Sequence, residues 1–194
     1  SLIRANNSLD EADICLLILD ATEPISLFHQ NIIGLAYEKK KPLIVIVNKW
    51  DLIEKDTNTM DKYKKELSKK LKFVDWAPIV FISALNKLRI SKLIETINLV
   101  ETNIKRQITT NQLNQLMIQA QLIKPASSIN GRRLSIKFAK QVDAKIPTFL
   151  LFVNDKKLAH FTYLRYIENQ IRENFDFVGT PIELILRDGK GEKE

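Results

Sequence analysis

The sequence predicts an α/β chain: a doubly wound parallel sheet, then a small α+β unit of order α-β-β-α-β. Three observations predict it. Continuous apolar runs at 14–19, 43–47 and 78–82 alternate with helical patterns, as parallel strands covered on both faces do. After about residue 110 the period changes: Leu134, Ile136 and Phe138 alternate with Ser135, Lys137 and Ala139, a strand with one covered face. Between the two patterns, 105–110 reads as a boundary.

The elements follow in order. The chain opens at Ser1-Leu2-Ile3-Arg4 inside a helical pattern and without Met, as a piece of a longer protein would. After the run at 14–19, a helix starts at about Ser26 with Phe28, Ile32, Ile33, Leu35 and Ala36 on one side. Lys39-Lys40-Lys41-Pro42 ends it, since proline cannot continue a helix. The strand at 43–47 leads to a charged helix over 58–71, and the strand at 78–82 to a helix with Ser91 as its expected N-cap and Leu93, Ile94, Ile97 and Val100 in phase. Thr109 or Thr110 can cap a helix reaching 123. The turn-rich link at 125–131 precedes the alternating strand, a turn at 143–147 and a partner strand at 148–153. Leu164, Ile167 and Ile171 mark a helix over 161–175, which Gly179-Thr180-Pro181 separates from a last strand at 182–186.

Composition narrows the function classes. The 194 residues are 45% hydrophobic and 27% charged, an ordinary globular mixture. No apolar run approaches the ~20 residues that span a bilayer, and no leader pattern opens the chain, so the expected compartment is the cytoplasm and no membrane partner is expected. Cys15 is the only cysteine, so no internal disulfide can form, and no Cys/His spacing suggests a metal site. His29 and His160 lack a partner pattern and read as structural. The net charge of +7 is uneven: residues 1–104 carry +1 and residues 105–194 carry +6. A basic excess confined to one half points that half toward a polyanion, RNA above all.

One motif carries chemistry. Asn48-Lys49-Trp50-Asp51 directly follows the second buried strand, where ligands bind in open α/β sheets. A carboxylate there can accept hydrogen bonds from guanine N1–H and the 2-amino group. Adenine offers no such pair and would leave the carboxylate desolvated and unsatisfied. The Lys49 stem can lie along the base face, and the Asn48 amide can tie neighbouring loops together. N-K-x-D alone is a weak signal. The next strand ends in Ser83-Ala84-Leu85, whose backbone N–H can donate to guanine O6, and two elements in register outweigh simple loop capping by Asn48 and Asp51.

The phosphate half of such a site has no counterpart here. The glycines at 34, 131, 179, 189 and 191 form no G-x-x-x-x-G-K-[ST], and no D-x-x-G follows a strand. In sequence order both would precede Ser1. The triphosphate and Mg²⁺ contacts of phosphoryl transfer are therefore expected from outside this chain, which alone is expected to be inactive. The strand at 14–19 is then an exposed apolar edge, a further reason to expect upstream sequence.

At this point the chain resembles the Der (EngA) family of bacterial double GTPases. Matching stretches include residues 12–22, from Ala12-Asp13 to Asp20-Ala21-Thr22, then Val47-Asn48-Lys49-Trp50-Asp51-Leu52, residues 77–85, Gly131-Arg132-Arg133-Leu134, Pro147-Thr148-Phe149, Phe152-Val153-Asn154-Asp155, His160-Phe161 with Arg165-Tyr166, and Gly179-Thr180-Pro181-Ile182. The resemblance implies an incomplete P-loop GTPase-type sheet over 1–107, a KH-like domain over 108–188 and a disordered tail at 189–194. It implies GTP/GDP as ligand, held by Asn48, Lys49, Asp51, Ser83, Ala84 and Leu85, with Mg²⁺ in the intact parent. It further implies GTP hydrolysis, a role in 50S ribosomal subunit assembly, rRNA contact, and a first G domain as intramolecular partner. Two departures stand out: Pro24 where a Gly is expected, and Asn86-Lys87 in place of a small residue and Gly.

A KH domain clamps RNA with a G-x-x-G loop, and none lies between Leu134 and Ile182. RNA contact is expected instead from Arg132, Arg133, Lys137, Lys140, Lys145, Lys156, Lys157, Arg165 and Arg172. The aromatic residues of this half read as core. The rival reading is an RNA- or ribosome-binding scaffold that hydrolyses nothing.

Overall fold

The computed structural model describes residues 2–54, 56 and 58–189; the side chains of residues 2 and 3 and, of the expected tail at 189–194, residues 190–194 lie outside the described residues, whereas the Gly189 N–H donates to the Val153 carbonyl at 3.1 Å. The chain divides into two compact units. The first runs to Ile104 and takes in Val178–Pro181, and the second comprises Lys105–Phe177 and the residues from Ile182 onward.

The first unit is a three-stranded parallel sheet, β1 (Cys15–Asp20), β2 (Leu43–Asn48) and β3 (Ile79–Phe81), in the order β1-β2-β3. Helices α1 (Leu2–Glu11), α2 (Leu27–Glu38), α3 (Thr59–Lys70) and α4 (Ile90–Ile104) flank it. β2 is the central strand, and residues 43–47 are buried on both faces. On one face Leu43, Val45 and Val47 join Ile33 and Ala36 of α2 and Leu67 of α3. On the other, Ile44 and Ile46 meet Val80, Ile82 and Val100 of α4. Each such side chain contributes about 1.5–3 kcal/mol on burial. The run therefore holds β2 in place and fixes where its C-terminal end emerges.

Two expectations need correction. β1 is covered on one face only: Leu19 is buried, whereas Leu16 and Ile18 are 43% and 59% exposed. Ser91 is not an N-cap. α4 begins one residue earlier, after Arg89 in the left-handed region at φ 60°. Ser26 does cap α2, and its hydroxyl accepts from the His29 N–H. His29 Nδ1 in turn takes the Ser26 N–H at 3.2 Å, which gives this histidine a structural role.

Val178–Pro181 packs inside the first unit, although the sequence reading places it within 108–188. The Leu43 N–H donates to the Gly179 carbonyl at 2.9 Å, the Gly179 N–H to the Trp76 carbonyl at 2.8 Å, and the Asn103 side-chain amide to the Val178 carbonyl at 3.0 Å. Gly179 has φ +86°, and a Cβ there would stand 2.1 Å from Val100 Cγ2, so only glycine fits.

The second unit has the order α5 (Thr110–Ile123), β4 (Ile136–Val142), β5 (Thr148–Val153), α6 (Phe161–Asn174) and β6 (Glu183–Asp188). β4 pairs antiparallel and β6 parallel with β5, giving the order β4-β5-β6. Thr109 caps α5 in a reciprocal box with Gln112. The buried cluster contains Leu113, Met117, Phe149, Leu151, Tyr163, Ile167, Ile171 and Phe177, with Tyr166 and Phe175 packed against it; Phe161, expected in the core, is instead 73% exposed at the start of α6.

β4 departs from the simple alternation. Its register shifts between Ile136 and Phe138, and Ala139, expected on the polar face, is fully buried. A bulge of this kind moves every later side chain to the other face. The free edge of β4 is closed by side-chain amides. Asn114 accepts from the Ala139 N–H and donates to the Ala139 carbonyl; Gln121 does the same for Ile136. Gln141, near the strand's end, accepts from the Ile108 N–H and donates to the Arg106 carbonyl. An exposed row of unpaired backbone groups invites pairing with another chain, and these amides remove it.

Candidate functional site

The candidate site is built where β2 and β3 end side by side. The two strands are parallel, with Val47 opposite Phe81, so the segments after them leave in the same direction. Lys49 adopts a left-handed conformation, φ 59°, which turns the chain abruptly out of the strand into a short 3-10 turn, Trp50–Leu52. Such a conformation is uncommon for a side-chain-bearing residue and persists only where its surroundings hold it. The surroundings here are explicit. Trp50 is 5% exposed, its ring lies 4.5 Å from Phe81 and 5.5 Å from Tyr63, and its N–H donates to the Ile82 carbonyl at 3.1 Å. Trp50 thus anchors the motif from below while Asn48, Lys49 and Asp51 reach the surface.

The second loop closes on itself. Ser83 and Leu88 exchange both backbone hydrogen bonds, at 3.2 and 3.0 Å, and the Asn86 N–H donates to the buried Ser83 hydroxyl at 3.2 Å. Lys87 takes φ 54°, a left-handed position, where the family resemblance leads one to expect glycine.

Two contacts bring the loops together. The Ala84 N–H donates to Asn48 Oδ1 at 3.0 Å, and Asn86 Nδ2 donates to Asp51 Oδ2 at 3.0 Å. The Asp51 carboxylate therefore faces the 83–88 loop. Since Ala84 already serves Asn48, the exposed Leu85 N–H is the loop amide without a protein partner among the described residues.

Lys49 is tied in from the opposite side. Its ammonium meets Asp20 Oδ2, at the end of β1, at 2.6 Å. Asp20 also accepts from the Thr22 N–H and hydroxyl at 2.9 and 2.6 Å. The Lys49 hydrogen bond, followed by those from Thr22, holds the Asp20 carboxyl down at about 2, and Asp20 correspondingly raises the Lys49 ammonium. With its head anchored at β1, the Lys49 stem is stretched across the strand ends. Neither Asp20 nor Asn86 belongs to the six residues singled out from sequence. The signals available were the acid closing an apolar strand and the unusual residue after Ser83-Ala84-Leu85.

The nine cationic residues expected to meet RNA differ in their surroundings. Arg133, Lys137, Lys140, Lys145 and Lys157 are exposed. Arg132 pairs with Asp155 at 3.3 Å and Lys156 with Asp188 at 3.5 Å. Arg165 is half-buried. Arg172 departs from its expected place on the surface: its side chain is 16% exposed, pairs with Glu168 at 3.6 Å and donates to the Phe177 carbonyl at 3.1 Å. That geometry fastens the end of α6.

Comparison with known proteins agrees with this architecture. The elongation factor Tu GTP binding domain family matches residues 3–103, and the KH-domain-like C-terminal domain of EngA bacterial GTPase enzymes matches residues 107–187. The GTPase Der of Mycoplasmopsis pulmonis is 51% identical over 190 residues, which is 98% of this chain and 43% of that protein. The GTPase Der of Alkaliphilus oremlandii is 44% identical over 191 residues, 98% of this chain and 43% of that protein. This chain belongs to the Der (EngA) family.

The chain thus spans less than half the length of the curated relatives it matches. Its first unit is the G-domain-like part of the family architecture and its second the KH-like part. A solved structure of Era, in complex with MgGDPNP and nucleotides 1506–1542 of 16S ribosomal RNA, is similar at a TM-score of 0.44 and 21% identity, covering 98% of this chain and 70% of that one.

Proposed function

We propose that this chain supplies the guanine-recognising part of the nucleotide site of a GTP-hydrolysing ribosome-assembly factor. The observation that carries the reading is the joining of the two loops, Asn48 to Ala84 and Asp51 to the 83–88 turn. A purine edge set between them would donate its N1–H and 2-amino group to Asp51 and accept at O6 from the Leu85 amide. The stretched Lys49 stem would lie along the ring face. Asn48 acts as the clasp that keeps the loops at a fixed separation.

GTP or GDP suits these residues: an acceptor-only carboxylate, backbone donors and an apolar stem match guanine's edge and face. Mg²⁺ does not. Among the described residues no group of three or more His, Cys, Asp or Glu side chains is placed to hold a metal ion, so no metal ligand is assigned to this chain. Phosphate contacts are likewise assigned to the parent protein, since the 194 residues contain no G-x-x-x-x-G-K-[ST]. Hydrolysis, cytoplasmic action in 50S assembly and partnership with a first G domain belong to that parent. The KH-like unit is the ribosome- and rRNA-facing part, with Arg133, Lys137, Lys140, Lys145 and Lys157 as its available cations. Arg132, Lys156 and Arg165 are secondary contacts.

Asp51→Asn in the full-length protein tests the base assignment. The amide can donate to the 2-oxo group of xanthine and loses charge-assisted acceptance from guanine. Two hydrogen bonds at about 1.5 kcal/mol each predict a loss of GDP affinity on the order of a hundredfold, with XDP now preferred. Unchanged GDP affinity in that variant would remove the role given to Asp51.

A further inference from the structure

We infer that Asn86 is the positioning residue of the guanine-recognising carboxylate. The inference rests on the base-recognition reading above and extends it to a residue outside both motifs.

The Asn86 side-chain amide donates to Asp51 Oδ2 at 3.0 Å. This is the same donor type, on the same carboxylate, that guanine presents through its 2-amino group. A carboxylate oxygen offers two lone pairs, so one bond from Asn86 leaves the second lone pair of Oδ2 and both of Oδ1 for the base. A permanent donor on one oxygen fixes the plane of the carboxylate before the nucleotide arrives. Without it, the half-buried Asp51 side chain would have to lose rotamer freedom on binding.

The loop is built to hold Asn86 there. Its backbone N–H is on the Ser83 hydroxyl, and Ser83 is 2% exposed, so the anchor is fixed in the core. The Ser83–Leu88 bridge closes the loop behind it. Lys87 and Arg89 accept left-handed conformations, φ 54° and 60°, to make the tight return. Asn48, clasping Ala84 two residues before Asn86, ties the same loop to the same motif. Asp51 thus has its orientation set from the loop that also donates to the purine.

The test uses the full-length protein with the nucleotide site of the first G domain disabled, and GDP and XDP as probes. In the Asp51 background, Asn86→Ala raises the Kd for GDP about tenfold, the equivalent of about 1.4 kcal/mol for a hydrogen bond to a charged group. Asn86→Asp, nearly isosteric but with an acceptor facing an acceptor, raises it further. Asn86→Gln restores part of the affinity. In the Asp51→Asn background, probed with XDP, Asn86→Ala costs only about threefold, because a neutral bond is about half as strong as a charge-assisted one. Unchanged or tighter GDP binding by Asn86→Ala would overturn the inference. So would the same fold-loss in both backgrounds, which would mean that Asn86 merely shapes the loop. If instead Asp51→Asn fails to switch preference to XDP, the base-recognition reading fails first, and this inference falls with it.

Discussion

Replacing Gly179 with alanine tests the least obvious part of the architecture, the insertion of Val178–Pro181 into the G-domain-like unit. Two costs arise together. At φ +86° a Cβ is strained by about 1–2 kcal/mol. The same Cβ would stand 2.1 Å from Val100 Cγ2, on a fully buried, β-branched side chain with little rotamer freedom. Overpacking of this kind adds about 1–3 kcal/mol. The sum, about 2–5 kcal/mol, is a large share of the ~5–15 kcal/mol by which a domain is stable. At about 4 °C or more per kcal/mol for a unit of this size, thermal unfolding followed by circular dichroism drops by about 8 °C or more. Adding Val100→Ala removes the clash but not the strain, so the two losses are less than additive in a double-mutant cycle. A melting temperature within about 2 °C of wild type, or strict additivity, would refute the reasoning.

Other perturbations follow from named contacts. Asn114→Ala strips both backbone groups of buried Ala139 of their partners and lowers the urea-unfolding free energy by about 2–4 kcal/mol; a smaller change means that the β4 edge is not closed by this amide. Thr109→Ala removes the α5 cap and costs about 1 kcal/mol in the same assay. The Asp20 carboxyl, lowered from 3.8 to about 2 by Lys49 and Thr22, contributes stability that is fully present above its ordinary value and is lost as the pH falls through about 2; Asp20→Asn flattens that limb of the stability-against-pH curve. Alanine at Arg133, Lys137, Lys140 and Lys145 together weakens rRNA binding and lowers its salt slope by up to about 4, whereas an unchanged slope places the RNA elsewhere.

The sequence alone determined the strand–helix order of the first half, because runs such as Leu43–Asn48 have no soluble alternative to burial. It also marked both loops of the candidate site, since Asn48-Lys49-Trp50-Asp51 and Ser83-Ala84-Leu85 are local patterns that follow strands. Capping by Thr109 was legible for the same reason. Only tertiary structure decided the rest. Asp20 and Asn86 reach Lys49 and Asp51 across 29 and 35 positions, and no local period encodes such a meeting. Ala139 turned inward because a bulge shifted the register, and one extra residue reverses a face without changing composition. Val178–Pro181 looked like a helix breaker, yet its position follows from the space beside Val100, which only a residue without a Cβ can enter. Local chemistry is written along the chain; which distant side chains come to share a carboxylate is settled by packing.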